Sequence, residues 1–441
     1  MASGFIFLLT KRANFIIVNK VSAPFIDKEG ETAESLSCTL SILLFASFNR
    51  ENPGFSYGLN WGLAGKGVIV KDKAFQNLKS SELLAKGATI AETLSGLPLH
   101  VRGTLGGNST ISKAQYSKLL KQACLVTTHI SSISNIFVHD GAIGLSPESD
   151  AKVRVISDSP SAILSLSRVL WETPTRAVSH DSCPLTVYTA TSISTAVEDI
   201  IGLGAQGNNG FIAADIERSS LILCGKAFAD INGTKLALTA LSEPVIFARG
   251  GLPLSARLLV SCDSVVLLFA PENAIQSYSD LLVSADAAVV LSPQGVAPLF
   301  QTKKLGGINS YRIPSAVILA TSDSSGTIPS ISKLSPGQAA YHFLAGYQNG
   351  EFVPGYYAKG SSYIGVLDLA KTLLSKLKQY QVPTFLVNVD GGVENITGKD
   401  LVKLVTSEKV APFRLKGGDL QRKYNAFLSY KFQDIPEEFS F

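Results

Sequence analysis

A chain of 441 residues, 46% apolar and 17% charged, is long enough for two lobes with cores of their own, at about 150 residues per domain. The net charge of +4 comes without a basic stripe interleaved with aromatics, which argues against a nucleic-acid reader. No run reaches the roughly 18–20 apolar residues of a membrane span. Five cysteines without a C-x-x-C argue against a zinc ribbon, and their odd number against a disulfide framework.

In chain order, residues 1–57 show no clear periodicity and read as an extension of uncertain order. The basic N-terminus, with a short apolar core at Phe5–Leu9, leaves an organellar transit segment open beside a cytoplasmic location. From Tyr57 the pattern becomes that of a domain. Gly67–Val70 reads as a short strand, Ser80–Ala91 as a helix, and Ser112 as the cap of a helix to about Leu125. Ile136–Val138 is a strand. Lys152–Ser157 (KVRVIS) alternates like a half-buried strand. Ser159 or Ser161 opens an amphipathic helix to Trp171, and Leu185–Thr189 is again a strand. Phe211–Ile216 and Ser220–Cys224 form a hairpin around Glu217-Arg218.

The second half is organised around Cys262–Ser292. Val265–Phe269 is a continuous apolar run, as in a strand buried on both faces. A helical stretch, Ile275–Val283, and a second apolar run, Ala287–Leu291, complete a predicted βαβ unit. Its first turn, Ala270 to Ser277, has no glycine to close backbone N–H groups around a phosphate. It has no lysine to neutralise one, and Glu272 would repel one. Further on, Val296–Ser315 is loop-rich, and Ala316–Ala320 is a buried strand. Pro336 sits in the first turn of a helix, Gln348–Ser362 is a loop, Leu367–Gln379 is an amphipathic helix with outer lysines, and Thr384–Val387 is a strand. After Phe413 the sequence reads as a polar, peripheral tail. The divisions expected are 1–57, 58–249, 250–415 and 416–441.

Local motifs carry little chemistry. Gly202–Gly207 (GLGAQG) matches G-x-G-x-x-G, but Asn208-Asn209-Gly210 breaks the helix that a dinucleotide needs. Ser179–Cys183 (SHDSC) holds hydrolase residue types as chain neighbours, whose side chains diverge where a triad converges. His180 and Cys183 form a single H-x-x-C pair, short of a zinc site.

Several stretches together resemble ATP-dependent phosphoenolpyruvate carboxykinase. They are Asn77-Leu78 to Leu83, Ile136–Gly141 followed by Val153–Ile156, Phe211–Ala213 to Gly225, and Phe385–Asn388. The most similar runs from Ser322 through Lys333-Leu334-Ser335-Pro336 to Tyr341–Tyr347. The resemblance spans roughly residues 68–390. It implies an α/β, two-lobed carboxykinase-like fold with a mononucleotide-binding type of C-terminal lobe.

The family's functional residues transfer poorly. Its kinase loop falls on Ala270–Asp280, with the lysine at Gln276 and the metal-binding threonine at Ser277, the one surviving hydroxyl. The paired aspartates fall on Ser292 and Pro293, and the manganese-binding histidine on Ser255. The tyrosine-containing motif becomes Gly225–Asp230, with Lys235 about one position from the ligand lysine. Arg102 is the nearest candidate for a substrate arginine, and the segment carrying a second one is largely missing between Leu291 and Ala316. The reaction builds negative charge on an enolate and a phosphoryl group, and cations must be held in place against both.

The reading is therefore a carboxykinase-like protein that has lost catalysis, with Ser277 as a nucleotide-binding remnant. No catalytic residue, metal ligand or cofactor is expected, and the partner is a protein or a small metabolite, with neither nucleic acid nor membrane. One alternative is an active carboxykinase using ATP with magnesium or manganese. Another is a binder of a different metabolite in the same cleft, built from Arg257, Asp323 and Ser277.

Overall fold

A computed structural model describes residues 57–102, 126–146, 148–172, 185–193, 210–261, 264–270, 288–301, 310–348, 350–355, 364–388, 410–414 and 418–440. The first half builds an eight-stranded sheet from β1 (Lys73–Gln76), β2 (Leu99–Arg102), β3 (Asn135–Ile143), β4 (Ala151–Ser157), β5 (Trp171–Glu172), β6 (Leu185–Ala190), β7 (Gly210–Asp215) and β8 (Ser220–Gly225). The strand order is β1-β3-β4-β6-β8-β7-β2, with β5 on the side of β3. β7 and β8 form the expected antiparallel hairpin. Period-2 alternation sends Val153, Val155, Leu185, Val187, Leu221 and Leu223 to one face. There they meet α2 (Ser80–Ala85), α3 (Pro160–Leu166) and α4 (Ile231–Ala248). The opposite face sends Ile136, Ile156 and Ala213 against Leu59 and Leu63 of α1 (Tyr57–Ala64).

Several boundaries differ from the sequence expectation. β4 is buried along its whole length rather than on one face. Its two cations are neutralised where they stand: Lys152 by Asp150, and Arg154 by a bidentate pair with Asp140 at 2.8 Å for both bonds. The expected strand at Gly67–Val70 is not formed, and the strand lies later, at β1. The helix expected to reach Ala91 ends at Ala85, just before Gly87, whose φ of +90° is ready-made for a helix stop. The helix opened by Ser159 stops at Leu166, and Trp171 instead enters β5, its indole N–H donating to the Pro298 carbonyl at 3.2 Å. The predicted cap at Ser112, the GLGAQG run and Ser179–Cys183 lie outside the described residues.

The second half holds a five-stranded sheet in the order β10-β11-β14-β18-β15: β10 (Arg257–Ser261), β11 (Ser264–Phe269), β14 (Ala316–Thr321), β18 (Thr384–Asn388) and β15 (Ile331–Leu334). β11, β14 and β18 run parallel, flanked by antiparallel β10 and β15. The predicted βαβ unit is not what forms. β12 (Val289–Ser292) leaves the sheet of β11 and pairs antiparallel with β9 (Leu252–Leu254) and β13 (Gly295–Pro298) in a three-stranded sheet of its own. The parallel neighbour of β11 is β14. An apolar run states burial but not partner, and two short runs in sequence suit either arrangement.

That small sheet joins the two cores. Val289 and Leu291 pack into the core of the second half, while Val290 between them packs into that of the first. Backbone bonds from Gly144 N to Leu299 O (2.8 Å) and from Gln301 N to Val169 O (2.9 Å) add to the join.

Against the five-stranded sheet lie α5 (Pro336–Leu344) and α6 (Val366–Tyr380). α5 opens on a capping box, in which the Ser335 hydroxyl accepts from Gln338 N and the Gln338 side chain accepts from Ser335 N. β16 (Ala345–Gln348) and β17 (Glu351–Pro354) form a hairpin where a loop was expected. The stretch taken as a peripheral tail contains α7 (Gly418–Lys431), whose Tyr424 and Leu428 are fully buried. Leu420 and Phe427 pack beside them, but these apolar residues are spread among Asp419, Gln421, Arg422, Lys423, Asn425 and Lys431, so composition alone reads the segment as tail.

Candidate functional site

In an open α/β sheet, ligands bind outside the carboxyl ends of the parallel strands. In the five-stranded sheet that edge is where β11 ends at Phe269, β14 at Thr321 and β18 at Asn388. β10 runs the other way, so its first residue, Arg257, lies at the same edge, opposite Leu268. The chain from β14 to β15 crosses this edge and carries Asp323. The sequence-level candidates Arg257 and Asp323 are thus brought to one edge of one sheet, while Ser277 lies outside the described residues.

Asp323 is 1% exposed, and its carboxylate is turned into its own loop. It accepts from Ser325 N (3.1 Å), Ser325 Oγ (2.6 Å), Thr327 N (3.1 Å) and Ile328 N (3.0 Å). Burial alone would push this carboxyl up, but the four donated bonds outweigh it and hold the group below the usual carboxylate range. Asn388 closes the knot. Its side-chain oxygen accepts from Asp323 N (2.8 Å), and its Nδ2 donates to the carbonyls of Asp323 (2.8 Å) and Ile328 (3.1 Å). Sequence reasoning took Asn388 only as part of a strand. The signal for its role was a polar residue closing an apolar strand beside an Asp-x-Ser-x-Thr loop.

Beneath the loop lies a cavity lined by Thr321, Ile328, His342, Gly346, Tyr347 and Leu386. Its volume of about 10 Å³ is room for roughly one water. His342, 3% exposed, is pushed down to about 3 by burial. A neutral imidazole in an apolar wall neither attracts an anion nor supplies charge.

The other positions of interest are dispersed. Ser255 is exposed between β9 and β10. Ser292 is 4% exposed and bonds to Gly295 O at 3.2 Å inside the β12–β13 turn. Lys235 on α4 places its ammonium over the Phe300 ring, 5.7 Å from the centroid. Because β11 and β12 lie in different sheets, Ser292 does not follow a parallel neighbour of the strand that leads to Ser277. Among the described residues no three His, Cys, Asp or Glu side chains are grouped to hold a metal, and no helix is long and apolar enough to cross a membrane.

Residues 295–352 match the family model for phosphoenolpyruvate carboxykinase. The match covers β13, β14, the Asp323 loop, β15, α5 and most of the β16–β17 hairpin. It also contains the resemblance read from Ser322 to Tyr347. Curated relatives agree over short stretches. The phosphoenolpyruvate carboxykinase (ATP) of Christiangramia forsetii is 37% identical over 87 residues, 17% of this chain and 16% of that protein. That of Flavobacterium johnsoniae is 59% identical over 34 residues, 8% and 6% of the two chains. That of Rubrobacter xylanophilus is 42% identical over 65 residues, 14% and 12% of the two. The matches therefore span 6–16% of the relatives' length.

Proposed function

We propose that the chain is a two-lobed, phosphoenolpyruvate carboxykinase-like protein that has lost catalysis and acts through an interaction or regulatory role in the cytoplasm. The observation that carries this is the residue sequence immediately after β11. The strand delivers the chain to the carboxyl edge of a parallel sheet, and the next residues, Ala270-Pro271-Glu272-Asn273-Ala274-Ile275-Gln276-Ser277, contain neither glycine nor lysine. Backbone cradling of phosphates and a neutralising ammonium are both missing at the place that should supply them. Removing one stabilising donor from such a site lowers rate by about 10²–10³, and groups that act as a unit are not replaced one at a time.

A second reading keeps the same edge as the binding place of another small anionic metabolite. It is favoured by the location of Arg257, a cation 8% exposed at that edge.

A thermal-shift titration with ATP, magnesium and manganese, followed by an oxaloacetate turnover assay, tests both. A ligand at 100 times its Kd adds about 2.7 kcal/mol. The expected result is no shift at millimolar nucleotide and no turnover. A metal-dependent shift with turnover that is lost in Ser277→Ala would establish an active carboxykinase instead. A shift with an anionic metabolite that is lost in Arg257→Met, without a nucleotide response, would establish the second reading.

A further inference from the structure

At the carboxyl edge of the other sheet, the chain leaving β4 and the chain leaving β6 are tied together by Asp158. This carboxylate, 1% exposed, accepts from Thr191 N (2.9 and 2.8 Å), Thr191 Oγ1 (3.0 Å), Ser192 N (3.2 Å) and Ser192 Oγ (2.8 Å). His129, on a helical turn spanning 126–132, brings one ring nitrogen to the same place. Its Nε2 lies 2.8 Å from Ser192 Oγ and 3.3 Å from Asp158 Oδ2.

The protons can be assigned from this geometry. A nitrogen lone pair facing a carboxylate is repelled, so Nε2 carries the hydrogen. The Ser192 hydroxyl gives its own proton to Asp158 and accepts from Nε2. Ser192 is then not activated by His129, because a serine nucleophile needs an unprotonated Nε2, with the carboxylate on Nδ1. Nδ1 is left with its lone pair, on a ring whose side chain is 26% exposed.

A carboxylate-held imidazole with one nitrogen that no described residue engages can ligate a metal, accept an acyl group or accept a phosphoryl group. A metal needs further ligands, and none are grouped there among the described residues. Acyl transfer needs free backbone N–H groups for its oxyanion, and those of Thr191 and Ser192 are already given to Asp158. Phosphoryl transfer through a loose transition state asks first for a positioned nucleophile, and a small activated donor with a good leaving group needs the least charge compensation from the site.

We infer that His129 is a nucleophilic histidine that takes a phosphoryl group at Nδ1 from small activated phosphoryl donors. The Nδ1 lone pair forms the new P–N bond as the bond from phosphorus to the donor's leaving group breaks. The leaving group keeps that electron pair. The hydrogen stays on Nε2, and the positive charge on the ring is offset by Asp158.

The test uses the full chain and phosphoramidate, from which ammonia departs with the old P–N electron pair. Of the five histidines, His100 and His342 are buried, as are both ring nitrogens of His139, and His180, which lies outside the described residues, is replaced by Gln in every protein tested. Phosphorus NMR and peptide mapping should show one acid-labile phosphoryl group, on His129. It should form roughly tenfold or more faster than on histidines of the urea-unfolded chain, a modest share of what a positioned proton-holding group contributes. His129→Gln should abolish it, and Ser192→Ala, which spares the backbone bonds to Asp158, should slow it. A folded-state rate no higher than the unfolded one, label persisting in His129→Gln, or a rate indifferent to Ser192→Ala would each overturn the assignment.

Discussion

Acid should weaken this fold through one identifiable side chain. His342 sits on α5 with 3% exposure, its ring set against Phe413 (centroids 5.5 Å), Tyr424 (6.0 Å) and Tyr341 (6.4 Å). Burial brings its folded-state value to about 3, below the ordinary 6.5 of the unfolded chain. The unfolded state therefore binds a proton more readily. The stability held in the neutral ring is fully present above pH 6.5 and is lost as pH falls from there toward 3. Between pH 7.5 and 5.0 the loss is about 2 kcal/mol, since each unit below 6.5 is worth about 1.4 kcal/mol. His100 and His139 are shifted in the same direction by burial, so the wild type alone cannot isolate the effect. His342→Phe removes this ring's share and leaves theirs. Urea unfolding of both proteins at the two pH values measures it. The variant should lose about 2 kcal/mol less on acidification. Equal losses, or a ring resonance titrating near 6.5 in the wild type and missing from the variant, would refute the reasoning.

Three further outcomes are expected. Asp323→Ala strips the acceptor from three backbone N–H groups and a hydroxyl, so it should destabilise by about 2 kcal/mol and raise amide exchange across 322–330. Arg154→Met leaves the Asp140 carboxylate, 7% exposed, without its bidentate partner, and should cost about 3–5 kcal/mol by urea unfolding. Removing both charges, as Asp140→Leu with Arg154→Met, should cost less than the sum of the singles. Tyr424→Ala empties a fully buried ring site beneath α7 and should cost about 3–5 kcal/mol, whereas Tyr430→Ala, 90% exposed on the same helix, should change stability by less than about 0.5 kcal/mol.

Strands were the most legible part of this sequence, because an apolar run such as Val265–Phe269 or Ala316–Ala320 has few ways to be satisfied other than a two-sided burial. Helices were less so. α4, the longest described helix, passed unnoticed because Gly233, Thr234 and Pro244 interrupt its pattern. Pro244 lacks an N–H to continue the ladder, and the helix holds through Leu238, Leu241 and Ile246 packed on the first sheet. Charge misled in β4, where Lys152 and Arg154 looked solvent-facing until their partners were in place. Those partners come from residues two and fourteen positions away, close enough to guess in hindsight but without a motif to mark them. At the candidate edge, Asp323 and Arg257 were legible as residue types. The role of Asp323 was not, since four hydrogen bonds into its own loop depend on a backbone turn that the sequence only hints at through Gly326, whose φ is +74°.

The separation of β11 from β12 bears most on function. A phosphate-transferring site needs its loop and its metal carboxylates on neighbouring strands, so that both reach the same phosphate. In the proposed reading, residue types and topology point the same way. The residues that follow β11, Ala270 to Ser277, contain neither glycine nor lysine, and the position after β12 sits in the tight turn of a different sheet, with Ser292 bonded to Gly295. An aspartate at residue 292 would therefore place a charge beside the β12–β13 turn, away from the edge where Arg257 and Asp323 lie. Ser292→Asp combined with Gln276→Lys should give no nucleotide-dependent rise in Tm. Metal-dependent ATP binding by that pair of substitutions would mean that the two positions share one site after all, and that the proposed absence of catalysis rests on side chains alone.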